Sequence, residues 1–143
     1  YRFLIKKLPT FEKIKYFFTE CNLIGEFHRK TFFEFSENLE SFLANPENHF
    51  HDSKIHKSIL GVMTVTRSMT EVILQDTWAV PNCPDQLVIR SRKYGSDNDD
   101  IETGKKLNQL ASEVFQKYSS FLTLAKKTLV VTNQGKDTGK LKP

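Results

Sequence analysis

Apolar side chains recur every three or four positions along most of this chain, the spacing that places them on one face of an α-helix. The first stripe begins after Thr10 and stops before Asn45-Pro46. It predicts one helix over residues 10–43, about 50 Å long at 1.5 Å per residue. Its members are Ile14, Phe17, Cys21, Ile24, His28, Phe32, Phe35, Leu39 and Phe42.

A second stripe, over residues 55–73, predicts a second long helix. Asp52 and Ser53 carry the side-chain oxygens that cap a helix N-terminus, and we expect the helix to end near Trp78. Two prolines then break the chain. Beyond them, residues 86–94 fit either a short helix or an extended segment.

A third stripe, over residues 107–129, predicts a third long helix after an acidic loop at residues 96–100. We expect residues 1–9 to form an extended arm and residues 132–143 a loose polar tail. The prediction is therefore an all-α fold, one domain over residues 1–143. Its architecture would be an up-and-down helical bundle of three long helices plus one or two short ones, with essentially no sheet.

Composition and charge narrow the possible functions only slightly. The chain has 21 lysines and arginines against 17 acidic residues, a net charge of +4. This balance favours acidic partners such as anionic lipid, acidic glycans or nucleic acid. No predicted helix carries the dense basic face that nucleic-acid binding requires, so we expect no nucleic-acid partner. No apolar run approaches the roughly 20 residues that span a bilayer.

The sequence contains no familiar catalytic motif, whether GxSxG, a glycine-rich phosphate loop or HExxH. The densest group of possible metal ligands is His49, His51, Asp52 and His56. Its spacing matches no named zinc pattern, so a capped helix entrance is the better interpretation. Cys21 and His28 fit core positions better than a nucleophile and its base. We expect no enzymatic activity, catalytic residues, small-molecule substrate, metal or cofactor. Cys21 and Cys83 would form one disulfide or be two free thiols.

Several large apolar residues fall outside the stripes. On a wheel of the first helix, Tyr16, Leu23 and Phe27 lie about 150–230° from the stripe, on the opposite side. They would be exposed unless that helix is buried on both sides. The apolar candidates for a binding surface are Tyr16, Leu23, Phe27, Phe33, Leu60, Leu74 and Trp78.

Basic residues accompany these apolar positions. The basic candidates are Arg29, Lys30, Arg90, Arg92, Lys93, Lys105 and Lys106. Apolar patches beside lysine and arginine suit an anionic membrane surface. The residues therefore favour a protein that binds and perturbs membranes. A helical cytokine-like receptor ligand is the alternative from another class.

Two segments resemble the abalone sperm lysin family. Asn22–Arg29 with Thr31–Phe35 is similar to the first long lysin helix, which has a two-aliphatic, small, Phe, x, Arg segment and a downstream aromatic residue. Gly104–Leu107, with Glu113–Tyr118 and Phe121-Leu122, is similar to a later segment in which Gly-Arg-Arg-Ile leads into an aromatic-rich helix. The mild charge and the many phenylalanines depart from lysins proper and are closer to the fusagenic branch of the family.

The resemblance implies a lysin-like five-helix bundle, secreted from the sperm acrosomal vesicle at the acrosome reaction and acting without catalysis. For a fusagenic member it implies binding to the egg plasma membrane and promotion of sperm–egg fusion. For a lysin-type member it implies dissolution of the egg vitelline envelope, with an egg-coat glycoprotein as partner. Membrane fusion is the leading expectation, and egg-coat dissolution is the alternative within the family.

Overall fold

Helices make up most of the protein, as predicted, and a small β-sheet accompanies them. The computed structural model describes residues 8, 11–20, 23, 27–48, 50, 52–89 and 97–140. The α-helices are α1 (Phe11–Lys15), α2 (Arg29–Ala44), α3 (Ser53–Asp76) and α4 (Asp97–Lys140). The strands are β1 (Phe27–His28), β2 (Thr77–Val80) and β3 (Cys83–Ile89). A π-helical turn, Tyr16–Glu20, follows α1, and a 3₁₀ turn, Pro46–Asn48, follows α2.

The single helix predicted over residues 10–43 is wrong, because the chain is interrupted before α2. Strand β1 lies between the π-helical turn and α2. The π-helical turn buries two consecutive rings, Phe17 and Phe18, whose centroids are 5.1 Å apart. Phe18 in turn packs 5.1 Å from Phe35 of α2. The apolar spacing continues across the interruption because both sides contact the same core. His28 is exposed rather than buried, because successive residues of a strand point to opposite faces and the neighbouring Phe27 takes the buried one.

Helix α3 agrees closely with the second predicted helix. The Asp52 carboxylate accepts the backbone N–H groups of Lys54 at 2.8 Å and Ile55 at 3.2 Å, which confirms its capping role. Every residue of the predicted stripe is buried: Ile55, Ile59, Val62, Thr66, Met69 and Ile73. The Thr66 hydroxyl donates to the Val62 carbonyl at 2.7 Å, so this polar core residue is satisfied.

The three-stranded sheet corrects the expectation of an all-α fold without strands. Its order is β1-β3-β2, and both pairs are antiparallel. Within β3, Leu87 and Ile89 are buried while Gln86 and Val88 are half-buried, an alternation of period two that suits a strand. Asn82, in the turn between β2 and β3, has φ 66°, a left-handed conformation that asparagine tolerates.

Helix α4 runs further than predicted. It continues to Lys140, where the sequence favours a loose tail from residue 132. An established helix gains one hydrogen bond for each residue added without a new nucleation step, so a polar extension can follow a packed segment. The buried residues of its packed part are Leu107, Ala111, Val114, Tyr118, Phe121 and Ala125. Of the arm predicted over residues 1–9, only Leu8 lies in the described part, and it is buried.

Aromatic rings form a continuous chain through the core. From β1, Phe27 lies 6.2 Å from Phe17, measured between ring centroids. Phe35 lies 5.2 Å from Tyr118 of α4 in an edge-to-face contact. Further along, Phe50 links Phe121 and Phe42 at 6.0 Å from each. Pairs in this range contribute about 0.5–1.5 kcal/mol beyond their area burial. These ring contacts connect the sheet to the helices.

We expect Phe27→Ala to destabilise the protein strongly and Tyr16→Ala to have little effect. Phe27 is 2% exposed and Tyr16 is 65% exposed, although the helical wheel places both on the surface. Truncating a buried phenylalanine costs about 3–5 kcal/mol, whereas an exposed substitution stays within about 0.5 kcal/mol. Urea denaturation measures both. Equal and small effects would contradict the position of Phe27 in the core.

Candidate functional site

Two of the seven apolar surface candidates are core residues instead. Leu23 and Phe27 are 0% and 2% exposed, so their prediction as surface residues is wrong. The helical wheel assumes one regular helix, and the interruption before α2 removes that assumption. Phe27 pairs with the buried Leu87 of β3. The Leu23 backbone N–H donates to Asn108 Oδ1 of α4 at 2.9 Å.

The other candidates keep at least part of their predicted exposure. Tyr16, Leu60, Leu74 and Trp78 are exposed, and Phe33 is half-buried. They do not form one continuous band. Arg67 lies between Leu60 and Leu74 on α3, about 20° around the helix from each. Its guanidinium donates two hydrogen bonds to the Glu40 carboxylate of α2, at 3.0 and 3.2 Å.

This ion pair keeps a charged bridge in the middle of the α3 surface. The hydrogen bond from Arg67 lowers the pKa of Glu40, and the same bond raises the pKa of Arg67. Glu40 therefore stays ionised at neutral pH. Leu60 is separated from Leu74 by this pair, so Leu74, near the C-terminal end of α3, and Trp78 after it remain as a candidate apolar patch.

The outward face of the sheet lies directly after that part of α3. Thr77 ends the helix, with its hydroxyl donating to the Ile73 carbonyl at 2.6 Å, and the chain becomes extended. Trp78 is paired with Val88, and His28 with Gln86. Paired residues of an antiparallel ladder point to the same face, opposite to the buried Leu87 and Ile89. We define the sheet-end surface as Leu74, Trp78, Val88, His28 and Arg29.

Four of the basic candidates lie in the described part of the chain, and all four are exposed. Arg29 is exposed, and its guanidinium carbon lies 5.3 Å from the centroid of the Phe33 ring, a cation–π contact. Lys30 is exposed, and its ammonium lies 3.9 Å from the Glu34 carboxylate. Lys105 and Lys106 are exposed on α4, directly before Asn108, whose side chain accepts the Leu23 backbone N–H.

The remaining basic candidates, Arg90, Arg92 and Lys93, lie outside the described residues. In the sequence they follow the last residue of β3. Ile101, one turn before Lys105 on α4, is an exposed apolar residue that is not among the predicted candidates. It lies about 120° around the helix from the buried Leu107, and this offset is the signal that could have identified it.

The histidine and cysteine candidates give no assembled reactive centre in the described part of the chain. No group of three or more metal-binding side chains occurs among the residues described. His49, His51 and Cys21 lie outside them. Asp52 serves as the cap of α3, and His56 is half-buried one turn further on. Cys83 is exposed at the start of β3 with a free thiol.

A second feature, a polar groove, lies between α3 and α4. It is open and has a volume of about 440 Å³. Its lining residues are Lys57, Ser58, Gly61, Glu113, Gln116, Lys117 and Ser120. The groove is not among the predicted sites, because these positions belong to the polar sides of two amphipathic helices. The available signal is Gly61, an isolated glycine in the interior of a long helix.

Helix packing does not explain why residue 61 is glycine. A Cβ atom built there would meet no atom within 4 Å, so no neighbouring element approaches closely enough to require its absence. Glycine in a helix interior costs about 0.5–1 kcal/mol relative to alanine. The lack of a side chain at Gly61 leaves the groove between α3 and α4 wider.

No family model matches this chain, and no curated protein or solved structure is similar to it. Of the two segments that resemble lysins, the second lies within α4, and the first is interrupted by strand β1. Among the described residues, no helix is both long enough and apolar enough to cross a membrane.

We expect Gly61→Ala to stabilise the protein by about 0.5–1 kcal/mol, since alanine reduces the entropy of the unfolded chain and enters open space. Thermal or urea unfolding measures the change. Ser58→Ala, at a neighbouring lining position, is the matched control and should gain less. A destabilised Gly61→Ala variant would show that the groove is filled by protein atoms.

Proposed function

We propose that this chain binds lipid membranes through its sheet-end surface and perturbs them without catalysing a reaction. The observation that carries the proposal is the exposure of Leu74 and Trp78, 68% and 54%. The same surface includes the exposed Arg29. Tryptophan suits such a position because its ring is apolar and its N–H can bond at the headgroup level. The neighbouring cations suit anionic headgroups.

The expected energies are sufficient for reversible binding. Burying an exposed leucine or a residue of similar size gains about 1.5–3 kcal/mol. Each lysine or arginine near an anionic surface adds about 1 kcal/mol. The sheet-end surface has two large exposed apolar side chains. Leu74 lies in the last turn of α3, which is firmly packed in the core, and Trp78 lies on β2 directly after that helix. Insertion at the headgroup boundary would therefore leave the core intact.

We further propose a biological setting on the basis of the resemblance to lysins. The chain would be a secreted sperm protein, released from the acrosomal vesicle, that promotes fusion with the egg plasma membrane. The lysin-like bundle of five helices belongs to the same proposal. The aromatic-rich segment of α4 supports the resemblance on which this proposal rests. Strand β1 would be a departure from the family pattern.

The alternatives use partners other than lipid. A lysin-type dissolver of the egg coat would bind a glycoprotein of the vitelline envelope. A cytokine-like ligand would bind a receptor ectodomain. Neither alternative requires binding to protein-free vesicles, so vesicles of defined lipid composition separate them from the membrane proposal.

We expect the double variant Leu74→Ser/Trp78→Ser to bind phosphatidylserine vesicles at least about tenfold more weakly, since it loses apolar area worth well over 1.4 kcal/mol. Cosedimentation measures binding, and circular dichroism checks the fold. The matched control is Tyr16→Ser/Leu60→Ser, which removes two exposed apolar residues outside the sheet-end surface. Equal losses in both variants, or a normal first variant, would contradict the proposal.

Replacing Lys105 and Lys106 by glutamine should weaken binding to anionic vesicles at low salt, by about 1 kcal/mol for each charge. The difference from the unmodified protein should vanish in 1 M salt, where the Debye length is about 3 Å. Lys126→Gln/Lys127→Gln is the control, since these exposed lysines lie about 30 Å further along α4. A larger loss in the control would place the electrostatic contact at the other end of the molecule.

A further inference from the structure

The groove between α3 and α4 has the lining of a site for a small polar ligand. Its volume of about 440 Å³ falls in the range of about 300–1,000 Å³ that is usual for ligand sites. No aromatic or branched aliphatic side chain lines it. An acyl chain or a sterol would therefore find only the methylene groups of polar side chains there, not an apolar pocket. The two serines and Gln116 supply hydroxyl and amide groups instead.

The charges of the groove favour an anionic group on that ligand. In the part of the chain that the structure describes, the ion pairs are Lys30 with Glu34 and Arg67 with Glu40. The groove lysines, Lys57 and Lys117, are thus not neutralised by a described carboxylate within ion-pair distance. With one glutamate, Glu113, against two lysines, the groove carries a net positive charge.

The glycine of α3 gives access to these groups. Gly61 lines the groove, and the space beside its Cα is open. Any larger side chain at this position would project into the volume between Lys57 and Glu113. Gly61 weakens its helix and is not required by the packing. Its presence is explained if it keeps this space available to a ligand.

We infer that this groove binds a small hydroxylated molecule carrying a phosphate or sulfate ester, such as a sugar phosphate or a sugar sulfate. The ester oxygens accept hydrogen bonds from the ammonium groups of Lys57 and Lys117 and from the serine hydroxyls. Glu113 and Gln116 hydrogen-bond the hydroxyl groups of the ligand. This site is independent of the proposed membrane function.

The position of the groove favours a water-soluble ligand over a lipid headgroup. Ser58 lies about 24 Å from Leu74 along the axis of α3, at about 1.5 Å per residue. The groove and the sheet-end surface are therefore separate regions of the molecule. With α3 along the membrane normal, a protein bound through its sheet-end surface would hold the groove outside the headgroup layer, out of reach of a phosphoinositide.

Isothermal titration calorimetry with glucose 6-phosphate and glucose 6-sulfate tests the inference. We expect both esters to bind, glucose not to bind, and inorganic phosphate to bind more weakly than glucose 6-phosphate. Absence of binding by both esters at millimolar concentrations would overturn the assignment. Equal binding of glucose and its esters would overturn the role of the lysines.

Variants locate the binding in the groove. Lys57→Gln/Lys117→Gln should weaken ester binding at least about tenfold, a loss of about 1.4 kcal/mol. Gly61→Leu, which fills the groove, should abolish it. The control Lys126→Gln/Lys127→Gln, outside the groove lining, should bind both esters like the unmodified protein, and circular dichroism should show the same helix content throughout. If Gly61→Leu does not fold, the lysine variant alone decides, and normal ester binding by that variant overturns the proposal.

A last comparison separates the two sources of the ester. Vesicles containing phosphatidylinositol 4-phosphate should bind the Lys57→Gln/Lys117→Gln variant as well as they bind the unmodified protein. If the variant loses vesicle binding in parallel with sugar-ester binding, the groove recognises lipid headgroups and the water-soluble assignment is wrong.

Discussion

The chain of aromatic rings through the core is the interaction on which the rest of the structure depends. It begins with Phe27 on the sheet and passes through the rings of the π-helical turn to Phe35. It then crosses to Tyr118 of α4 and reaches Phe121 and Phe50. Rings of this size can fill a core only when their edges and faces fit together. Rings of this chain therefore fix the π-helical turn, α2, α4 and the two-residue strand β1, which has too few backbone hydrogen bonds to be stable alone, whereas α3 contributes aliphatic residues and methionines to the same core.

This packing explains why one end of the molecule has an exposed apolar surface. Phe27 and the inward residues of β3 hold the sheet against the core, so its opposite face points away from it. Trp78 and Val88 are then presented outward together with the last turn of α3. Elsewhere on that helix the exposed side is mostly polar and is linked to α2 by Arg67 and Glu40. On its other side, α3 packs against α4, and these two helices carry the two lysines of the groove.

The regular parts of the fold follow from the sequence, and the irregular parts do not. The α3 stripe and the Asp52 cap are predicted correctly because local spacing and local hydrogen bonds determine them. Strand β1 could not be predicted, since its pairing with β3 joins residues about 60 positions apart, and such long-range contacts override local periodicity. The predicted exposure of Leu23 and Phe27 is wrong for the same reason. The exposure of Trp78 and Leu74 is predictable because an apolar residue outside a regular stripe is visible in the sequence. The groove is not predictable from a single stripe, since it forms only where two helices pack together.

The fluorescence of Trp78 tests the central claim most directly, because the chain contains one tryptophan. In buffer its emission should be that of a partly exposed indole, and collisional quenchers such as acrylamide should reach it. On addition of phosphatidylserine vesicles the emission should shift to shorter wavelength, and lipids brominated near the headgroup should quench it. Bromine near the bilayer centre should quench less, since the ring would lie at the boundary. Vesicle binding that leaves the emission wavelength and acrylamide quenching of Trp78 unchanged would contradict the account, because the sheet-end surface would then face away from the membrane.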